Sequence, residues 1–218
     1  MEARKLAEGE KALLDAAKNL KTGWFKKADH EAAAADYEKA ATAFRVGKAI
    51  PRAIDAFRRA AHAHVQFDSG FMAAKHMETA AFLAGAGGIK DPGQSADLYE
   101  EAALFHRQDG RVANAAEALG KAAKGLEADD PTRGVALASQ ACDLLDEEAR
   151  EPDVKELTLL AAIDAYKLAV PFMLRAKQCQ AAARLLRRQA KMHARVDQPH
   201  NVARCELSAV IALLAADD

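Results

Sequence analysis

The amino-acid sequence predicts an all-α fold: a right-handed α-α superhelix of tetratricopeptide-like hairpins, in which about ten antiparallel helices form a single domain over residues 1–218. Three observations carry this expectation. One bulky residue, two small ones and another bulky one form a pattern that is clearest in Tyr37-Glu38-Lys39-Ala40-Ala41-Thr42-Ala43-Phe44. Its first small residue returns at Ala60, Ala80, Ala102, Ala122, Ala141, Ala169, Ala190 and Ala209. Each interval suits one helix and a short turn, and two intervals make a helical hairpin. The composition is half apolar and rich in alanine, with only 6% aromatic residues and no strand-forming runs. Finally, Gly47, Gly70, Gly93 and Gly110, with Pro51, Pro92, Pro131 and Pro152, punctuate the sequence between or at the starts of the periodic segments, and Pro171 alone among the prolines falls inside an apolar run.

In chain order, Leu6, Leu13, Ala17 and Leu20 lie close to one stripe of a first amphipathic helix over 3–20. The next segment, Lys21-Thr22-Gly23-Trp24-Phe25-Lys26-Lys27-Ala28-Asp29, breaks the pattern and sets the single Trp beside a Phe and three lysines. Two readings stand side by side. Trp24 and Phe25 staple the first hairpin, or they protrude from a membrane-touching loop whose Lys21, Lys26 and Lys27 meet anionic headgroups. Asp29 is placed to cap the following helix. Further helices are expected over 30–47, 51–66, 71–84, 94–107, 112–127, 132–148, 154–174, 178–195 and 200–216. Pro51, Pro92, Pro131 and Pro152 suit turns or first helical turns, and Gly47, Gly70, Gly93 and Gly110 sit where turns are needed. Pro171 should kink or end its helix. The wider interval between Ala141 and Ala169 implies an insertion around Asp146 to Glu156.

The formal net charge of −1 argues against general nucleic-acid binding, but the charge is uneven. Acids dominate from Glu127 to Glu156 and bases from Arg175 to Glu206. Arg184, Arg188, Lys191 and Arg195 share one helix face, which reads either as a solvated surface or as a site for an acidic partner. Cys142, Cys179 and Cys205 are widely spaced and read as reduced, partly buried thiols of a cytosolic protein. No uncharged apolar stretch of membrane-spanning length is evident, and the N-terminus lacks the apolar core of a secretion signal.

Catalytic signatures are missing. Gly85-Ala86-Gly87-Gly88-Ile89-Lys90 follows no strand and has Lys90 where a dinucleotide fingerprint needs its third glycine. His62 and His64 are two residues apart and point to different sides of a helix, while His76, His106 and His193 stand alone in sequence. No metal site, cofactor or catalytic residue is therefore expected.

The segment Leu20 to Lys27, followed by Ala35-Asp36-Tyr37-Glu38-Lys39-Ala40-Ala41-Thr42-Ala43-Phe44, closely resembles the start of the gamma-type soluble NSF attachment proteins (SNAPs). Phe71-Met72-Ala73-Ala74-Lys75-His76-Met77-Glu78-Thr79-Ala80 and Ala113-Asn114-Ala115-Ala116-Glu117-Ala118-Leu119-Gly120-Lys121-Ala122 extend the likeness in the same order. It is good over residues 2–145 and weaker beyond. The resemblance implies a peripheral, cytosolic adaptor, monomeric when free. Several copies would grip one four-helix SNARE bundle, of syntaxin-type SNAREs, and recruit the hexameric ATPase NSF to pull it apart during vesicle transport. By position, Trp24 and Phe25 match the family's membrane loop. Arg45, Lys48 and Arg111 match basic SNARE-facing positions of alpha-type relatives, whereas Glu117 falls where those relatives carry another base. Family members continue past the point where this chain stops, so their C-terminal helical bundle is expected to be largely missing and NSF stimulation to be poor. The rival reading is a general tetratricopeptide-like module that captures a short linear peptide.

Overall fold

A computed structural model describes residues 1–22, 27–151 and 153–216, and it contains α1 (Glu2–Asn19), α2 (His30–Val46), α3 (Ile50–Val65), α4 (Gly70–Ala84), α5 (Pro92–Gln108), α6 (Val112–Gly125), α7 (Pro131–Glu148), α8 (Glu156–Arg175), α9 (Cys179–Arg195) and α10 (Pro199–Leu214). No strand occurs among the described residues. Local chemistry sets the starts. Asp29, Asp91 and Asp130 each accept a hydrogen bond from the backbone N–H three residues on, at 2.9, 3.0 and 3.0 Å, satisfying donors that a bare helix terminus leaves open. Pro51, Pro92, Pro131 and Pro199 occupy first-turn positions, where a missing N–H costs nothing.

Gly47 and Gly110 lie in turns as expected, whereas Gly70 and Gly93 belong to helices. Of the glycines assigned to turns, only Gly110 takes a positive φ, at 71°. Gly47 has φ −76°, Gly70 opens α4, and Gly93 lies within α5. The left-handed residues are instead Lys48, Asp68, Lys90, Lys177 and Asp197. Four of these turns share one hydrogen-bond pattern: Ala49 N–H to Phe44 O, Ser69 N–H to His64 O, Gln178 N–H to Met173 O and Gln198 N–H to His193 O, all at 2.9–3.0 Å. This is the six-to-one bond of a Schellman motif. The donor of each bond is also the N-cap of the next helix. The same short hinge therefore joins α2 to α3, α3 to α4, α8 to α9 and α9 to α10.

The helices group into two compact units, Met1–Gly110 and Arg111–Asp218. Within each, helices adjacent in sequence pack together. The paired small residues explain how. Neighbours along a helix point about 100° apart, so a pair such as Ala40 and Ala41, or Ala60 and Ala61, faces the helices on both sides. Both members are buried in the copies at Ala40, Ala60, Ala80, Ala102 and Ala122. Tyr37, Phe44, Phe57 and Met77 anchor unit 1, while Leu145, Tyr166 and Met173 anchor unit 2. Gly9 shows the closeness of the packing, since a Cβ there would lie 2.6 Å from the Phe44 ring.

Pro171 removes the donor to the Lys167 carbonyl, yet α8 does not end there and continues to Arg175. Burial of Phe172 and Met173 just beyond it offsets the lost bond. α8 is also long and apolar enough to cross a membrane by length and composition, which the sequence reading did not expect. Its apolarity has a structural account, because Leu159, Ile163, Tyr166 and Phe172 are buried where α8 packs against α7 and α9.

Candidate functional site

In unit 2, α6, α7 and α8 frame a groove of about 530 Å³. Its lining includes Ala113, Ala116, Gly120, Ala138, Ala141 and Ala165, with Leu168 and the charged pair Glu117–Lys121 (3.0 Å) alongside. Small side chains keep the groove open, as Leu168 approaches the Cα side of Gly120 closely enough that an added Cβ would sit 3.1 Å away. Burial pushes the Cys142 thiol up to about 12 and raises Cys205 as well, so both remain protonated and unreactive near neutral pH.

The acidic and basic segments of unit 2 meet each other. Arg188 donates to Asp146 at 2.7 Å and to Asp143 at 2.5 Å, and Tyr166 donates its hydroxyl to the other Asp146 oxygen. The guanidinium also lies 5.6 Å from the Tyr166 ring centroid. Burial, then the Asp146 contact, raise the Tyr166 pKa, which keeps its hydroxyl a donor. Arg175 pairs with Glu127, and Arg195 donates to the Ala149 carbonyl. The basic stripe is thus split: the acidic partner of Arg188 is the chain's own α7, because the α8–α9 hinge brings α9 back over it. Arg184 and Lys191 remain exposed.

Unit 1 holds a different network. Glu38 on α2 accepts from His64 Nε2 of α3 at 2.9 Å and from His76 Nε2 of α4 at 2.7 Å, through the same oxygen, Oε1. Glu78 on α4 accepts from His106 Nε2 of α5 at 2.8 Å. His106 is 0% exposed. Burial works to raise the Glu38 pKa, but hydrogen bonds from His64 and His76 and their charge hold it low. Desolvation lowers His76 against the pull of Glu38. Histidines that stand apart in sequence are brought together here, contrary to the sequence reading. One signal in the sequence pointed to them: the bulky residue of a repeat is followed by a carboxylate at Tyr37-Glu38 and Met77-Glu78, two repeats apart.

The remaining predicted residues are distributed along the chain. Lys21 and Lys27 are exposed between α1 and α2, while Trp24, Phe25 and Lys26 lie outside the described residues. Arg45 is exposed in the last turn of α2. Lys48 is exposed and pairs with Glu2 at 2.7 Å. Arg111 is the N-cap residue of α6.

Alanine-packed hairpins stacked in sequence order define a helical-repeat scaffold. The soluble NSF attachment protein (SNAP) family matches residues 3–163, and the chain belongs to that family. Two gamma-soluble NSF attachment proteins are similar to it. The one from Dictyostelium discoideum is 31% identical over 100% of this chain and 64% of its own length. The one from Arabidopsis thaliana is 31% identical over 88% of this chain and 62% of its own length. The chain thus spans somewhat less than two thirds of these relatives. Among solved structures, BtubC (BKLC) from P. vanneervenii aligns with TM-score 0.40 at 12% identity, covering 99% of this chain and 92% of that one.

Proposed function

We propose that this chain is a non-enzymatic adaptor that binds the assembled four-helix SNARE bundle on the cytosolic face of membranes and recruits the NSF ATPase for its disassembly in vesicle-mediated transport. Family membership over residues 3–163 is the observation that carries this reading. Exposed Arg45, Arg184 and Lys191 supply the basic contacts to an acidic coiled-coil surface, with Lys48 exchanging its exposed Glu2 partner for the bundle and Arg111 adding to them. Arg188 and Arg195 hold α9 to α7 instead. Lys21, Trp24, Phe25, Lys26 and Lys27 form the membrane-touching loop. Each buried aromatic contributes roughly 1.5–3 kcal/mol and each lysine about 1 kcal/mol before ordering costs, which makes this contact weak and reversible. Several copies on one bundle then multiply weak contacts into useful avidity.

The test is retention of the chain on an immobilised, assembled bundle of syntaxin-type SNAREs, compared with isolated short peptides. Retention at low salt that falls at moderate salt, with no peptide binding, is the expected result. Tight binding to a short peptide and none to the bundle contradicts the proposal in favour of a general peptide-capturing scaffold.

A further inference from the structure

Three helices of unit 1 aim one ligand atom each at a common point. Glu38 Oε1, His64 Nε2 and His76 Nε2 all lie within 4.8 Å of one another. The rings are held from several sides. His64 and His76 stack at 5.0 Å with an interplanar angle of 22°, Phe57 stacks on His76 at 5.9 Å, and Phe67 tilts against His64 at 5.1 Å. Both imidazoles are buried at 8% exposure, so little rotamer freedom remains to be lost on binding. Glu38 is the accessible member, with its side chain 37% exposed, and gives the site an opening to solvent.

We propose that Glu38, His64 and His76 form a binding site for a divalent zinc-class cation. Two neutral imidazoles and a carboxylate are a borderline-soft donor set that suits zinc better than calcium or magnesium. In the hydrogen-bonded state, Oε1 occupies the point on which both Nε2–H groups converge. An ion takes that point at about 2.0–2.2 Å from each donor when the carboxylate draws back, a movement open to a half-exposed Glu. The proton on each Nε2 moves to Nδ1, and the ionised carboxylate supplies one negative charge, so binding needs no net proton release. His64 Nδ1 is buried without a partner in either tautomer, so the shift adds no new unpaired group there. Solvent fills the fourth position through the opening beside Glu38. Because the ligands come from α2, α3 and α4, the ion would tie two hairpin turns together.

The site is tested on the whole chain with cobalt(II) and zinc. One equivalent of cobalt should give visible d–d bands of a nitrogen and oxygen site without the thiolate charge-transfer band that Cys142, Cys179 or Cys205 would produce. Zinc should displace it and raise the unfolding temperature. His64→Gln, His76→Gln and Glu38→Gln should each weaken zinc binding, measured against a chromophoric chelator, by at least about 10–100-fold. Far-UV circular dichroism establishes that each variant is helical, and the conservative Glu38→Gln keeps the side-chain shape if a histidine variant unfolds. A thiolate band, zinc affinity unchanged in helical variants, or no saturable binding overturns the proposal, leaving the triad as a hydrogen-bond hub.

Discussion

The two units solve the same packing problem with different polar chemistry. Each stacks alanine-rich hairpins, and each ties helices together through carboxylates. Unit 1 uses imidazoles, in Glu38–His64–His76 and Glu78–His106. Unit 2 uses a guanidinium and a phenol, in Asp143–Asp146–Arg188–Tyr166. An arginine stays charged throughout the physiological range and grips two carboxylates with a rigid fork, whereas an imidazole changes charge near neutrality. Unit 2 therefore carries a permanent clamp, and unit 1 carries, at His76, a link that responds to proton and, on our proposal, metal concentration.

The strongest test of this contrast is Arg188→Ala, which leaves Asp146 and Tyr166 without their cation. Unit 2 should lose about 2–3 kcal/mol, with Arg188→Lys recovering only part, because an ammonium cannot span Asp143 and Asp146 as a fork does. Peptide-resolved hydrogen exchange should show faster opening of α7 to α9 and unchanged α2 to α4. Next in size, His106→Ala should cost unit 1 about 2 kcal/mol in urea unfolding, combining a cavity with the lost His106–Glu78 hydrogen bond, and leave unit 2 protection intact.

Acidification sharpens the comparison further. Burial holds His76 below its ordinary 6.5. As pH falls through that value, the unfolded chain takes up the proton first, so the unfolded state is favoured. The Glu38 carboxyl is held below 4.5, and the stability it contributes is present above that value and lost as pH falls beneath it. With a chelator present, unit 1 should therefore weaken as pH falls from 7.5 to 5.5, measured by hydrogen exchange, while the Arg188 clamp of unit 2 holds. His76→Gln should flatten this upper part of the profile. The smallest effect is expected at Lys48→Ala. Its pair with Glu2 is exposed, so stability should be essentially unchanged while affinity for the SNARE bundle falls. A variant that loses stability but keeps affinity would remove Lys48 from the contact surface.

Helix positions were legible in the sequence because alanine spacing and aspartate or proline starts act locally. Expected and observed helix limits agree within about two residues throughout, inside the usual fraying of helix ends. The turns were less legible. Lys48, Asp68, Lys177 and Asp197 take left-handed conformations because a Schellman bond and an immediate N-cap over-determine the backbone, and residue type alone does not announce that. The helix through Pro171 shows tertiary burial outweighing a local breaker. Polar networks were the least legible, because Glu38 meets partners 26 and 38 residues away and Arg188 meets partners 42 and 45 residues away. Charge counting saw the acidic and basic segments of unit 2 but could not tell an internal clamp from an external docking surface.

On the function proposed above, this chain recognises an assembled SNARE bundle at a membrane. The decisive measurement is sedimentation of the chain with liposomes carrying that bundle, at low and moderate salt and with or without Trp24→Ser and Phe25→Ser. Salt-sensitive binding that the paired substitutions weaken further, with little binding to bundle-free liposomes, is the expected result. Absence of binding to bundle-bearing liposomes at low salt would refute the proposed function.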